Sequence, residues 1–101
     1  MMKWGAKMKV VLKRLIKEGH KDTAVTLYRE LIAESRKEAG CITYELYEDT
    51  KQANLIAMIE EWEDIKALEA HKQTVHVRRL VPLIDKITAE KFEMEMYSRI
   101  V

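Results

Sequence analysis

The sequence predicts an α+β domain whose elements follow the order β-α-β-β-α-β, and three observations predict it. Apolar and polar residues alternate over 8–16, 42–48 and 92–97, which is the two-residue period of half-buried strands. Apolar residues recur at three and four over 24–35 and again over 65–84, the period of amphipathic helices. Only the polar segment 49–54 separates the second strand from the third, which makes that pair an antiparallel hairpin.

Taken in order, residues 1–6 show no period and read as an N-terminal tail, leaving 7–101 as one domain. Met8, Val10, Leu12 and Ile16 then alternate with Lys7, Lys9 and Lys13 in a first strand over about 7–17, and Arg14 falls on the apolar parity. Gly19 ends that strand, Asp22 is a plausible N-cap, and Ala24, Leu27, Tyr28, Leu31, Ile32 and Ser35 form the buried stripe of a helix over about 22–39 that stops at Gly40. In the next strand Ile42, Tyr44 and Leu46 share one side and Thr43, Glu45 and Tyr47 the other. Its partner at 55–62 is apolar on both parities, so both of its faces are expected to be covered, one by helices and the other by a second subunit. Asp64 caps a short helix with Ile65, Leu68 and His71 on one line. A further helix carries Val77, Leu80, Val81 and Ile84, and Pro82 is expected to kink or end it. Phe92, Met94 and Met96 mark the last strand. This is the ferredoxin-like order with a split second helix.

Composition narrows the function classes. A chain of 101 residues with 48% apolar content supports one core, and at that size covering a sheet face with a second copy is a natural source of stability, so a homodimer is expected. The 18 basic and 17 acidic residues are interspersed, which leaves no basic stripe for phosphates and argues against nucleic-acid binding. The lone Cys41 cannot form an intrachain disulfide and no signal segment opens the sequence, so a cytoplasmic location is expected. No apolar run approaches the roughly 20 residues that span a bilayer, so no membrane contact is expected.

Four segments in order, KVVLKRLIKEG, SRKEAGCITYELYED, EEWED and ALEAHKQTVH, carry a resemblance over about residues 8–98. The chain resembles the antibiotic biosynthesis monooxygenase family of the dimeric α+β barrel superfamily. The resemblance implies a homodimer of two sheets packed face to face, with a small-ligand pocket between sheet and helices in each subunit. Some members oxidise hydroquinone-like or polyketide aromatics with oxygen alone. Others degrade haem, isomerise a phosphorylated sugar, or have no known reaction, so fold and family do not fix the function. The haem-degrading branch fits poorly, because the first strand lacks asparagine, Trp62 belongs to a strand corner, and Val81 stands near the place of that branch's later histidine.

Among candidate residues His71 and His76 come first, since imidazole moves protons near neutral pH and a deprotonated phenol can reduce oxygen. His71 could equally pack on the Ile65–Leu68 line, and His76 could simply open the later helix. Arg14 could hold a phenolate or carboxylate with its forked donors, or pair with Glu60 or Glu45. Tyr44 and Trp62 could stack on a flat substrate, or Trp62 could close the core. Glu60 and Glu61 point to opposite faces of a strand and form no carboxylate pair. Cys41 has no flanking base and is not read as a nucleophile.

His71 and His76, five residues apart, would stand about 140° apart on a continuous helix, and neither Cys nor Asp completes a set, so no metal is expected unless a break at Thr74 joins them. Without a glycine-rich phosphate loop or dinucleotide fingerprint, no organic cofactor is expected either. The leading expectation is a cofactor-independent monooxygenase acting on a small aromatic, with His71 as base, His76 assisting, and Arg14, Tyr44 and Trp62 shaping the pocket. The alternatives are a non-catalytic barrel that binds a small metabolite, and a non-oxidative isomerase or lyase.

Overall fold

The computed structural model describes residues 5–101, so four of the six residues expected to form an N-terminal tail lie outside the described residues. Strand β1 spans Met8–Ile16, helix α1 Lys21–Ser35, β2 Cys41–Glu48, β3 Leu55–Trp62, α2 Ile65–Lys72, α3 Val75–Lys86, β4 Thr88–Lys91 and β5 Glu95–Ser98. The sheet runs β2-β3-β1-β4, with β5 also pairing β1, and each paired neighbour is antiparallel. This is the ferredoxin-like α+β arrangement that the element order predicts.

Parity decides which side chains meet the helices. In β1 the side chains of Met8, Val10, Arg14 and Ile16 are buried, and opposite them Ile56, Met58, Glu60 and Trp62 of β3 are buried in the register Met8↔Trp62, Val10↔Glu60, Leu12↔Met58 and Arg14↔Ile56. Helices supply Ala24, Tyr28, Leu31, Leu68, Leu80 and Ile84 to the same core. On the opposite sheet face Val11, Leu15, Leu55, Ala57 and Ile59 are only half-buried. The both-parity apolar run of β3 therefore has one covered face and one open face in a single chain.

Four local expectations are corrected. Helix α1 begins one residue before Asp22, with His20 in the cap position and no side-chain cap, and it ends at Ser35 rather than 39. Residues 36–40 instead form a tight turn that ends at Gly40, with φ of +85°. In β2 the register shifts between Cys41 and Thr43, so Ile42 leaves the face shared by Tyr44 and Leu46 and is 37% exposed. The last strand is two short pieces separated at 92–94, where Phe92 and Met94 are exposed. Pro82 does not end α3, which continues to Lys86; its missing N–H falls where a helix interior loses one bond.

Two junctions set the site. At the first, Gly40 has no Cβ, and an added one would stand 2.6 Å from the Cβ of Ala67, so only glycine lets α2 approach the turn after α1 this closely. At the second, α2 ends at Gln73 and Thr74 caps α3, its Oγ1 accepting from the Val77 N–H and donating to the carbonyl of His71 at 2.8 Å.

Candidate functional site

Between the sheet and the helices lies a cavity of about 180 Å³. Its wall is mainly apolar, including Val10, Leu12, Leu31, Met58, Leu68 and Ile84, and its polar groups come from Arg14, Tyr28, Tyr44, Glu60 and His71. Lys72, Lys91 and Met94 also line it, and the last two are exposed, which places its mouth by the break between β4 and β5.

One end of the cavity is an imidazole–carboxylate cluster. The helix break at Thr74 turns His76 back toward His71, and their ring centroids lie 6.2 Å apart. Glu38, from the turn after α1, joins them: its Oε2 stands 2.8 Å from His71 Nδ1 and 2.6 Å from His76 Nε2. The other His71 nitrogen, Nε2, is 3.4 Å from the Tyr44 hydroxyl. The His71 ring also lies 4.6 Å from the Trp62 ring and 5.2 Å from that of Tyr44, centroid to centroid. Burial lowers the His71 pKa below its ordinary value, and Glu38, pulling the other way, only partly offsets it. His71 is thus neutral near pH 7, with Glu38 able to accept from Nδ1–H and leave Nε2 as the basic nitrogen.

Glu60 stands beside this cluster on β3. Its carboxyl is 2% exposed, and Oε1 accepts from the Trp62 indole N–H at 2.9 Å. Burial pushes it up to about 7; the indole bond opposes the shift and the charge of Glu38 adds to it. Tyr44 is also held well above the ordinary tyrosine range by burial and by Glu60, which keeps its hydroxyl a donor.

At the other end Arg14 donates through Nη1 to Asp85 Oδ1 at 2.5 Å and to Thr88 Oγ1 at 3.1 Å. Partial burial acts to raise Asp85, but Arg14 and Lys91 hold it below the ordinary carboxylate range. Tyr28, beside Arg14, is raised to about 12 by burial.

The structure brings His71, Tyr44 and Trp62 together and sets His76 behind His71 through Glu38. Arg14 lines the same cavity from its other end, and its partner is Asp85, not Glu60 or Glu45; Glu45 lies on the opposite sheet face and is exposed. The two histidines are not left without a third group, as their spacing suggested, because Glu38 completes a set within 4.8 Å. Among the described residues these three are the ones that could together hold a divalent ion, although here their atoms are in direct hydrogen-bond contact. Cys41 is raised to about 11 by burial, the direction of an inert thiol.

Glu38, Glu60 and Tyr28 were missed as site residues. Glu60 does carry a signal, since a charged residue sharing the parity of Ile56, Met58 and Trp62 is the same anomaly that singles out Arg14. Tyr28 sits on the helix stripe and reads as core. Glu38 lies in a charge-rich turn with no period at all.

A fold of this order, with a polar-ended cavity between sheet and helices, places the chain in the class of ferredoxin-like α+β domains. Residues 8–83 match the model of the antibiotic biosynthesis monooxygenase family, and the chain belongs to that family. An uncharacterized protein of Synechocystis is 32% identical over 83 residues, covering 82% of this chain and 56% of the relative, so the chain aligns with little more than half of that protein. A crystal structure of an antibiotic biosynthesis monooxygenase has a TM-score of 0.81 at 35% identity, covering 93% of this chain and 97% of the other. A conserved protein from Methanosarcina mazei gives 0.88 at 29%, covering 92% of both chains. Among the described residues no helix is long and apolar enough to cross a membrane.

Proposed function

We propose that this chain is a monooxygenase that oxidises a small phenol or quinol with molecular oxygen and no bound organic cofactor. The observation that carries the reading is the Glu38–His71 pair at the wall of a largely apolar cavity. His71 Nε2 takes the substrate hydroxyl proton, while Glu38 on Nδ1 orients the ring and stabilises the imidazolium. The long Tyr44 contact is weak enough for a substrate hydroxyl to replace it. The phenolate then reduces oxygen: one oxygen atom forms a new carbonyl on the ring, giving a quinone, and the other leaves as water with the two hydrogens lost from the ring carbon and the hydroxyl. His76 acts through Glu38, Trp62 and Tyr44 present flat surfaces to the ring, and Arg14 closes the far end.

The working unit is a homodimer through the open sheet face, where Val11, Leu15, Leu55, Ala57 and Ile59 offer an apolar patch flanked by the half-exposed Tyr47 and Tyr97. Ile59→Arg is expected to give a monomer by sedimentation, and an unchanged dimer would remove this face from the interface.

The test of the reaction is oxygen uptake by metal-free protein with a panel of phenols, beside His71→Ala and a blank without protein. The variant is expected to lose about 10²- to 10⁴-fold in rate, the usual worth of a general base. Uptake kept in the variant removes His71 from the mechanism, and no uptake with any phenol ends the oxidative reading. The buried Glu60, poised near 7, favours one second reading: a non-oxidative isomerase in which Glu60 and His71 exchange protons with a carbonyl substrate. Product formation under strict anaerobiosis separates the two.

A further inference from the structure

The cavity described above also points to a class of ligand; this inference rests on the proposed function only in taking that cavity as the binding site. We propose that the ligand is a small organic acid of single-ring size, bound with its anionic group toward Arg14 and Lys91 and its hydroxyl toward Glu60 and His71.

Size is the first ground. A cavity of about 180 Å³ is close to the engineered apolar cavity of roughly 150 Å³ that holds benzene, so one ring with one or two substituents fills it. A fused three-ring skeleton does not enter without displacing the wall.

Polarity is the second. The two ends are offset along β1, Glu60 lying opposite Val10 and Arg14 four residues further on, and both side chains line the cavity. At the Arg14 end two cations, Arg14 and Lys91, share one carboxylate, Asp85, which leaves a net positive charge. The two bonds from Arg14 Nη1 and its bond to the Tyr28 hydroxyl use at most three of the five guanidinium N–H donors, so an oxyanion has donors left to meet. At the other end stand a buried carboxyl, Glu60, the His71 ring, and Lys72, whose charge is paired with Glu69. An anion placed there would face Glu60 and, behind His71, Glu38. A ligand with one anionic end therefore has a single favourable orientation, and that orientation puts its hydroxyl within the proton-handling cluster.

The third ground is the mouth. Lys72 and Lys91 both line the cavity, and Lys91 is exposed, so an approaching anion meets positive charge before it reaches Arg14.

The test is calorimetric binding to wild-type protein under anaerobic conditions, so that no turnover is needed. The probes are the ortho-, meta- and para-hydroxybenzoates, the matching hydroxybenzamides, and a three-ring anthracene carboxylic acid. At least one hydroxybenzoate is expected to bind about tenfold tighter than its amide, in keeping with a charge-assisted bond replacing a neutral one, and the three-ring acid is expected not to bind. Arg14→Gln should erase the preference for acid over amide. Because Arg14 is buried against Asp85 and that variant could fail to fold, Lys91→Gln, changed at an exposed side chain, should reduce the same ratio and weaken it less in high salt. Equal binding of acids and amides, binding of the three-ring acid, or no binding of any hydroxybenzoate at millimolar concentration overturns the proposal. A hydroxybenzoate that binds while no phenol of the panel gives oxygen uptake ends the monooxygenase reading and leaves this one standing; oxidation of a neutral multi-ring phenol does the reverse.

Discussion

Glu60 and Glu61 are neighbours on β3 and point to opposite faces of one sheet, and their surroundings have little in common. Glu61, on the open face, is 5% exposed but meets Arg99, whose Nη2 donates to it at 2.5 Å, and Lys9 at 4.0 Å. Glu60, on the helix-covered face, is as deeply buried and, among the described residues, has only the Trp62 indole as a donor. A carboxylate that must be buried is normally given a cation. The open face follows that rule and the cavity face does not, and the carboxyl that breaks it is raised to about 7, near working pH. The covered face trades electrostatic comfort for proton chemistry, while the open face keeps its charge paired and its apolar patch available for packing.

The largest expected effect sharpens this contrast through pH. Glu60 binds its proton more tightly when folded than at its ordinary value of 4.5, so between about 4.5 and 7 the native state holds more protons than the unfolded state. Stability from this group is fully present below about 4.5 and is lost as pH rises through about 7. The full difference is on the order of 3 kcal/mol. Urea unfolding of Glu60→Gln, which keeps an oxygen for the Trp62 N–H, should lack that fall and be more stable than wild type at pH 8. Parallel wild-type and variant curves from pH 5 to 8 would show that Glu60 is not held protonated by the fold.

Next in size is the junction that carries Glu38 to the histidines. Gly40→Ala puts a Cβ 2.6 Å from Ala67 at a φ of +85°, combining a left-handed backbone with a clash. It is expected to destabilise the fold by about 2 kcal/mol. Because the clash moves α2 away from the turn, it should also separate Glu38 from His71, seen as a change in the His71 titration by NMR. A variant as stable as wild type would mean that α2 has room to shift without cost.

How much of this was legible in the sequence differs between the two faces. The parity of the first strand places Met8, Val10 and Ile16 correctly, because a two-residue period survives whatever the neighbouring strand does. The parity of Ile42 fails, since a bulge depends on the register with β3, which no local pattern encodes. The break at 92–94 fails for the same reason, as the register with β1 slips by one residue between the pairs Val11↔Glu95 and Arg14↔Lys91. In the cavity, Arg14 is legible as a charge on an apolar parity, and Glu60 could have been read in the same way. Its companion Glu38 could not, because its place depends on a turn that brings residues 33 and 38 positions apart into contact. Charge in a turn reads as solvation until the tertiary fold shows what it faces.

The smallest effect is expected on the open face. Glu61→Gln removes one partner of a pair whose other members, Arg99 and Lys9, have side chains 50% and 46% exposed. Water can take over the donors of both cations, so the loss should be below about 1 kcal/mol at neutral pH and should shrink further in high salt. The same neutralisation at Glu60 is expected to stabilise the protein at pH 8, opposite in sign, although the two residues are adjacent and similarly buried. Denaturant melts of the two Gln variants side by side therefore separate burial from pairing: if both variants move stability in the same direction, burial alone governs these carboxyls, and the functional distinction between the two faces of the sheet loses its physical basis.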